Sequence, residues 1–413
     1  MGEKNNRSAI AGGICIGIIL TLLVVGGGYA ALRVMNRVPK LTGQSTGTAS
    51  GGGAEPGDIL DDTARAKITA LDHAIDVYYY KTEVDDEAAR IGMYKGLVDS
   101  LGDPYSVYYT AEEYDELMSD TEGVYFGIGA YVTIDNDLKY PRITGIIAGS
   151  PAEEAGLAAE DIIYEVEGES TYGQELSVVV SKIKGEEGTG VHLTILRDGE
   201  GELPFDLIRR SVETPTVTTE LLEDDIGYLK LTAFDMVSTQ QFMDGMSELR
   251  DQGMRGLILD LRSNPGGSLS VVCNIARQLL PKGLIVYTED RDGNREEYSC
   301  DGAHEIDIPL VVLVNGYSAS ASEILSGAVK DYGIGTIVGT TTYGKGVVQR
   351  IFDFEDGTAV KLTISNYFTP AGNDINGVGV EPDIEVELDS EQMKEDGTDN
   401  QLQRAIEVIK EQL

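Results

Sequence analysis

Two short segments in the C-terminal half of the chain combine the side chains needed to break an acyl bond. In the first, three serines centred on Ser320 alternate with alanines, where an apolar run at residues 309–314 gives way to a helix-like run at 323–330. In the second, Lys345 stands between two glycines. A serine nucleophile needs an adjacent base to activate it. Because no histidine follows His304 in the sequence, lysine is the favoured base.

Lys345 must lose its proton before it can act as a base. The ordinary lysine pKa of about 10.4 leaves roughly one lysine in 2,500 neutral at pH 7. Burial in an apolar site disfavours the charged form, and a pKa lowered by about three units corresponds to about 4 kcal/mol. Apolar residues before the segment (Ile337, Val338) and after it (Val347, Val348) favour a lysine folded inward. A surface lysine in a glycine-rich turn is the alternative.

The serine segment and a second turn also have purely structural explanations. Serine commonly caps a helix N-terminus, and Asn264, Pro265 and two glycines are typical residues of a tight turn. The functional alternative is that these small residues let a substrate approach closely. Free N–H groups at the helix start and in the Gly266-Gly267 turn would then stabilise an oxyanion.

Other catalytic motifs fail on their sequence requirements. Residues 339–345 fit the start of a phosphate-binding loop, but that motif continues with Ser or Thr and a helix, whereas Gly346 and a strand-like run follow. The serine segment lacks the second glycine of a G-x-S-x-G elbow. A pair formed by His304 and a serine remains an alternative. No H-E-x-x-H motif is present, and serine–lysine chemistry needs neither a metal nor an organic cofactor.

Composition limits the partners of the protein. The chain has 413 residues, enough for two or three domains, and acidic residues outnumber basic ones 70 to 32, for a net charge of −38. Nucleic-acid binding is therefore excluded, because it depends on lysine and arginine neutralising phosphates. Three cysteines without a C-x-x-C pair exclude a structural zinc site and leave a Cys273–Cys300 disulfide open.

The N-terminal region predicts a membrane anchor on a flexible linker. Residues 8–32 carry no charge. At ~1.5 Å per residue a helix of that length crosses a hydrocarbon core of ~30 Å, and it exceeds the ~7–15 apolar residues of a secretory signal. Basic residues flank both ends, so charge does not decide the orientation. Residues 41–57 are rich in Gly, Ser and Thr, typical of a flexible linker. Residues 59–101 show helical periodicity, which predicts an N-terminal helical region at 58–120 with an apolar face on its first helix formed by Ile68, Leu71, Ile75 and Tyr79.

The remainder divides into two units and a terminal helix. Short strands at residues 121–211 resemble a PDZ domain of the bacterial type. Within it, the loop Phe126, Gly127, Ile128 and Gly129 resembles the one that binds a C-terminal carboxylate, because successive backbone N–H groups can converge on an anion there. The next strand could accept an extended peptide by β-addition, and a plain glycine turn is the alternative.

Apolar strands alternate with helices at residues 212–388, which predicts an α/β core, and residues 389–413 end in an amphipathic helix. The predicted fold is an α/β protease core with an inserted mainly-β PDZ domain, N- and C-terminal helices and one N-terminal transmembrane helix.

Four motifs together resemble the carboxyl-terminal processing proteases, also called tail-specific proteases. The motifs are LGDPYS at 101–106, LDLRSNPGG at 259–267, SASASE at 318–323 and YGKG at 343–346, followed by Gln349. They occur in the order typical of the family. With the PDZ domain and the terminal helices, the resemblance covers about residues 58–413.

The resemblance implies a serine endopeptidase that binds protein substrates through their C-terminal tails. Ser320 would be the nucleophile, Lys345 the base and Gln349 the residue that orients Lys345. Backbone N–H groups of Gly267 and Ala321 would form the oxyanion hole. The family's usual location implies a single-pass cell-membrane protein with its catalytic part outside the cytosol. A homodimer through the terminal helices stays open, and a non-catalytic membrane-tethered PDZ adaptor is the alternative function.

Overall fold

The computed structural model describes residues 59–81 and 84–413. The predicted anchor at 8–32 and linker at 41–57 lie outside the described residues. Within the described ranges, no helix is both long enough and apolar enough to cross a membrane.

In the described residues, three helices and one short strand precede the PDZ domain. They are α1 (Asp62–Tyr78), α2 (Asp86–Asp99), β1 (Val107–Tyr109) and α3 (Ala111–Glu122). A helical region was predicted at residues 58–120, and the structure adds the short strand β1 to it. A three-residue strand has no periodicity of its own, and β1 forms by pairing with a strand more than 250 residues further along the chain, as in Val107 with Lys361.

The PDZ domain is an antiparallel sheet with two short helices. Its elements are β2 (Val124–Gly127), β3 (Ala130–Ile134), β4 (Pro141–Ile146), α4 (Pro151–Ala155), β5 (Ile162–Val166), β6 (Glu169–Ser170), α5 (Leu176–Ile183), β7 (Gly190–Arg197), β8 (Gly201–Ile208) and β9 (Arg210–Glu213). The strand order is β3-β4-β5-β7-β8, with β6 on β5, and β2 pairs with β9. Strand β3 is therefore at an edge of its sheet.

The protease core contains a six-stranded sheet covered by helices, as predicted. Its elements are β10 (Val217–Leu222), β11 (Ile226–Leu231), α6 (Ser238–Asp251), β12 (Gly256–Asp260), α7 (Leu269–Ala276), β15 (Leu310–Val314), α8 (Ala321–Tyr332), β16 (Thr336–Gly339) and β19 (Ile384–Glu385). Strands β11, β12, β15, β16 and β19 are parallel in this order, and β10 is antiparallel at the edge. Every residue of β12 and β15 is buried, as their continuous apolar sequences require.

A second, antiparallel sheet completes the core and was not predicted. It consists of β13 (Gly283–Asp290), β14 (Arg295–Cys300), β17 (Val347–Asp353) and β18 (Ala359–Phe368), together with β1. Strand β18 is central and pairs with β1, β13 and β17. Several of these strands mix charged and apolar residues, so the sequence pattern alone is weak.

The C-terminal helices are α9 (Ser390–Asp396) and α10 (Asn400–Lys410). Helix α10 buries Ala405, Val408 and Ile409 in an apolar cluster with residues of β11, β12 and β15. Cys273 and Cys300 are both buried free thiols, so the disulfide that the sequence left open does not form.

Candidate active site

Three segments meet at one edge of the parallel sheet because three neighbouring strands end there. Strands β12, β15 and β16 end at Asp260, Val314 and Gly339 and run in the same direction. The segments that follow them carry the N-P-G-G turn, the serines and Lys345. Sites in open α/β sheets lie at this carboxyl edge. The topology therefore brings together motifs that are far apart in sequence.

Ser320 differs from the two serines beside it. The Ser318 hydroxyl donates to Leu261 O at 2.8 Å, and the Ser322 hydroxyl donates to Asn264 O at 2.9 Å. Ser320 directly precedes α8 and has φ +54°, a conformation that L-residues adopt at a cost of order 1–3 kcal/mol. Two serines thus hold the segment in place through backbone carbonyls, while the strained backbone is confined to Ser320.

The N-P-G-G turn packs directly against the start of α8. The Asn264 side chain is fully buried, donates to Leu231 O at 2.8 Å and accepts from Gly266 N at 2.8 Å. A Cβ at Gly266 would lie 2.8 Å from Ala321 N and 2.6 Å from a backbone oxygen, so only glycine fits. Among the described residues, the N–H groups of Gly267 and Ala321 have no hydrogen-bond acceptor. The turn therefore leaves two N–H donors beside Ser320, as an oxyanion hole requires.

Lys345 is folded inward, and its side chain is 5% exposed. Burial, followed by the charge of Lys361, lowers the pKa of Lys345 to about 8, although Glu323 and Asp103 act in the opposite direction. Its Nζ lies 4.7 Å from the centre of the Tyr105 ring. In the described part of the chain, no carboxylate forms an ion pair with Lys345. A lysine in this state provides a far larger neutral fraction at pH 7 than an exposed one.

Glu323 links the serine segment to the lysine segment, although no role was predicted for it beyond its place at the end of the SASASE motif. One carboxylate oxygen accepts from Ser320 N at 2.7 Å and Lys345 N at 2.9 Å. The other accepts from Thr342 Oγ1 and Gly344 N, both at 2.6 Å. The side chain is fully buried, and burial raises the pKa of Glu323 while these four hydrogen bonds oppose that rise. Its position three residues after Ser320, as in a capping box, was the available sequence signal.

Tyr367 on β18 makes a second link between the same two segments. Its hydroxyl donates to Ser320 O at 3.1 Å and also contacts Lys345 O. The Tyr367 side chain is fully buried, and burial raises its pKa, so the phenol stays neutral and remains a donor. The antiparallel sheet thus positions the two segments together with α8.

Gln349 is buried close to the site, but its hydrogen bonds go elsewhere. Its amide nitrogen donates to Val347 O and Thr363 Oγ1, both at 3.4 Å. Within the described ranges, no hydrogen bond joins Gln349 to Lys345. The orienting role implied by the family resemblance therefore stays a prediction.

The L-G-D-P-Y-S motif places part of the N-terminal region over Lys345. Asp103 accepts hydrogen bonds from Tyr105 N at 3.1 Å and from the Ser106 hydroxyl at 2.5 Å. The same hydroxyl accepts from Thr363 N on β18 at 3.1 Å. This turn fixes the Tyr105 ring beside the Lys345 ammonium and helps to exclude water from the lysine.

The proposed carboxylate loop of the PDZ domain lies next to an open sheet edge. Phe126 is 45% exposed, whereas the Ile128 side chain is buried in the domain core and offers only its backbone. Gly129 has φ +81°, and a Cβ there would lie 2.2 Å from Ser150 Cβ. The N–H groups of Ile128 and Gly129 contact no acceptor within the described residues. Two free N–H groups before an edge strand have the arrangement of an anion nest.

A cavity of about 290 Å³ lies at the junction of the PDZ domain and the protease core. On the PDZ side it is lined by Tyr125 and Lys184, and on the core side by Phe234, Pro265 and Gly267. It therefore reaches the turn that carries one of the two free N–H groups beside Ser320.

Comparison with known proteins identifies the family. The model of peptidase family S41 matches residues 225–386, and a PDZ domain model matches 142–197. A carboxyl-terminal-processing protease of Synechocystis sp. is 37% identical over 297 residues, which are 70% of this chain and 69% of that protein. The carboxy-terminal processing protease CtpA of Bacillus subtilis is 34% identical over 313 residues, 75% of this chain and 66% of that protein. The matches thus span about two thirds of these relatives.

Solved structures agree on the fold. An S41 protease from Bacteroides fragilis has a TM-score of 0.51 at 19% identity, covering 83% of this chain and 97% of that one. The sequence identities to these relatives show that the chain belongs to the carboxyl-terminal processing proteases, which are serine peptidases of family S41.

Proposed function

We propose that this protein is a membrane-anchored endopeptidase that cleaves protein substrates near their C-termini, with Ser320 as nucleophile and Lys345 as base. The observation that carries the proposal is the double link made by Glu323 and Tyr367, which hold the backbones of Ser320 and Lys345 in one buried site. The adaptor alternative gives no reason to bury a lysine beside a strained serine. Loss of cleavage on single substitution of either residue tests the proposal.

In the proposed reaction, neutral Lys345 takes the proton of the Ser320 hydroxyl as its oxygen attacks the peptide carbonyl. The N–H groups of Gly267 and Ala321 stabilise the oxyanion, where losing one donor costs about 3–4 kcal/mol. Protonated Lys345 then gives its proton to the leaving amine, which leaves an acyl-enzyme on Ser320. Water, deprotonated by Lys345, attacks the acyl group; the bond from Ser320 to the acyl carbon then breaks, Lys345 returns the proton to the Ser320 oxygen, and the new carboxyl end of the substrate leaves.

The PDZ domain selects substrates by their C-terminal tails in this proposal. The free N–H groups of Ile128 and Gly129 would bind the carboxylate, and the edge strand β3 would pair with the extended tail. The cavity between Tyr125, Lys184 and Gly267 gives the chain N-terminal to the tail a route toward Ser320.

Tail chemistry should therefore control the rate of cleavage. A peptide with a free apolar C-terminus is expected to be cleaved faster than its amidated form, because the amide lacks the charge that the N–H groups bind. A tail ending in Asp or Glu should be cleaved more slowly still, since the protein carries a net charge of −38. The measurement is kcat/KM on three peptides that differ only at the last residue. Equal values for all three would show that the domain does not select tails.

Anchoring and topology form a separate part of the proposal. Residues 1–7 would lie in the cytoplasm and residues 33–413 outside it, on the basis of the charge-free run at 8–32 and the family's usual location. In cells stripped of their wall, externally added protease should digest the catalytic part while a cytosolic marker stays intact. Protection equal to that of the marker would contradict this topology.

A homodimer through the terminal helices also stays a proposal. The apolar face predicted on α1 is exposed, with Leu71 at 57% and Ile75 at 44%. Helix α1 therefore has apolar surface to bury against a second copy. Light scattering of the soluble part reports its mass, and a monomer at high concentration would contradict the proposal.

A further inference from the structure

Two lysines are buried within the described residues, and the proposed mechanism uses only one of them. Lys361 is 2% exposed, even less than Lys345 at 5%. It lies on β18, where it pairs with Val107 of β1 on one side and Ile351 of β17 on the other. Burying a lysine without an ion pair is costly, and in the described part of the chain Lys361 has no carboxylate within salt-bridge distance.

Lys361 occupies the same buried region as Lys345. Its register partner on β17, Ile351, is two residues from Gln349, which itself pairs with Thr363. The segment of residues 103–109 covers both lysines. Tyr105 presents its ring to Lys345 Nζ at 4.7 Å, and Tyr109 presents its ring to Lys361 Nζ at 5.3 Å.

Few negative charges face this pair of lysines. Asp103 faces both, and its charge favours the protonated form of each; Glu323 faces Lys345 and acts in the same direction. Burial raises the pKa of Tyr105 and of Tyr109 to about 12 each, with Tyr343 hydrogen-bonded to Tyr105 and Glu113 near Tyr109. These phenols and the buried Tyr367 are therefore neutral near pH 7 and supply no charge. The two ammonium groups repel each other with little compensation.

We propose that Lys361 is a positioning residue for the hydrolytic reaction, whose ammonium group keeps its buried neighbour Lys345 in the neutral, base-competent form. The inference rests on the proposed role of Lys345 as the base. Two like charges in one water-poor region bind a first proton much more readily than a second. One lysine can therefore hold the proton while the other accepts the proton of Ser320.

The ionisation of both lysines agrees with this arrangement. Burial lowers the pKa of Lys361 to about 8, against the effect of Asp103. After burial, Lys361 is the second cause that lowers the pKa of Lys345 to about 8. Since Lys345 must be neutral to act, kcat/KM should rise with pH and level off above about pH 8. Removing the charge of Lys361 should move this rise to higher pH.

The test is the pH profile of kcat/KM for variants of Lys361 in the full chain. The rising limb is the pH range over which kcat/KM increases. Lys361→Met should move this limb up by roughly one pH unit, so that kcat/KM falls roughly tenfold at pH 7 and reaches the wild-type value at high pH. Lys361→Arg keeps a permanent charge and should keep the wild-type limb. Lys394→Met removes an exposed lysine of α9 and serves as the control with an unchanged profile.

A second variant, expected to shift the pH profile in the opposite direction, keeps the test informative if Lys361→Met does not fold. Asp103→Asn removes a charge that favours protonated Lys345, so its limb should move to lower pH. A fluorophosphonate probe phosphonylates Ser320 with loss of fluoride, and the rate of this reaction, measured against pH, should show the same shifts without a peptide substrate. If the pH profiles of kcat/KM and of probe labelling shift equally, whatever the C-terminus of the peptide, the effect is on Lys345.

Three outcomes would overturn the proposal. One is an unshifted limb in Lys361→Met. Another is an equal shift in Lys361→Arg, which would indicate a packing role. The third is an unshifted pH profile in Lys361→Met together with a KM that rises for peptides with a free C-terminus but not for amidated peptides. This would make Lys361 a binder of the substrate carboxylate. Failure of the proposed function appears elsewhere, as cleavage retained in Lys345→Arg.

Discussion

Ser320→Ala is expected to abolish cleavage of an unfolded protein substrate, with a fall in kcat of roughly 10⁴-fold or more. The structure offers matched controls on either side. Ser318→Ala and Ser322→Ala each remove a hydroxyl that only holds a backbone carbonyl, at a cost of about 1–3 kcal/mol of stability. Both should retain cleavage below their unfolding temperature. Fragment release from a casein-type substrate, followed by gel and by mass spectrometry, distinguishes the three variants.

Two substitutions test Lys345 as the base: one removes the side chain, and the other replaces it with a side chain that cannot lose its proton. Lys345→Ala and Lys345→Arg should both be inactive, the second because arginine is not deprotonated in a protein. The double variant with Ser320→Ala should be no worse than either single one, since the two residues act as a unit. Circular dichroism and thermal unfolding establish that the variants are folded. Near-normal cleavage by Lys345→Arg would rule out lysine as the base.

Glu323→Gln is expected to lower kcat by roughly 10²–10³-fold. The carboxylate accepts all four of its hydrogen bonds, three of them from backbone N–H groups. An amide in its place directs its own N–H groups at some of these donors, which leaves buried donors unpaired at about 1–3 kcal/mol each. Ser320 and Lys345 would then lose their common support. The expected fall is in kcat rather than a rise in KM, because Glu323 holds the reacting groups.

The control for Glu323→Gln is a glutamate that also stands three residues after the N-cap of its helix. Glu113 follows the N-cap Thr110 by three residues and accepts from Thr110 N at 2.9 Å. Glu113→Gln should cost about 1 kcal/mol of stability and little activity, because Glu113 caps α3 and pairs with Lys95 at 2.6 Å, and neither contact involves Ser320 or Lys345. If the two variants lose activity equally, Glu323 acts as a helix cap and not as a link between the two segments.

Several features of the site were accessible from the sequence because they depend on local chemistry. A serine among small residues at a strand–helix junction indicates a nucleophile, and a lysine between glycines and apolar strands indicates burial. The buried strands β12 and β15 were evident from continuous apolar runs, since such runs have no polar face to expose. The turn before α7 was evident from its Asn, Pro and Gly residues.

The tertiary structure alone decided which distant residues complete the site. Tyr367 and Lys361 are ordinary residues in their local sequence. Glu323 and Tyr105 belong to the SASASE and LGDPYS motifs, but these motifs alone do not show what either side chain contacts. Their roles arise from the pairing of β18 with β1 and β17, and from the parallel strands that end together.

The sequence by itself determined which residues are predicted as the nucleophile, the base and the glycines that admit a substrate, because residue type and immediate neighbours define reactivity. Only the tertiary structure decided how that chemistry is controlled. Burial and the charge of Lys361 on β18 lower the pKa of Lys345, and four hydrogen bonds to one carboxylate join two loops. Solvent exclusion and non-local charge depend on the distances between segments, which no local pattern contains.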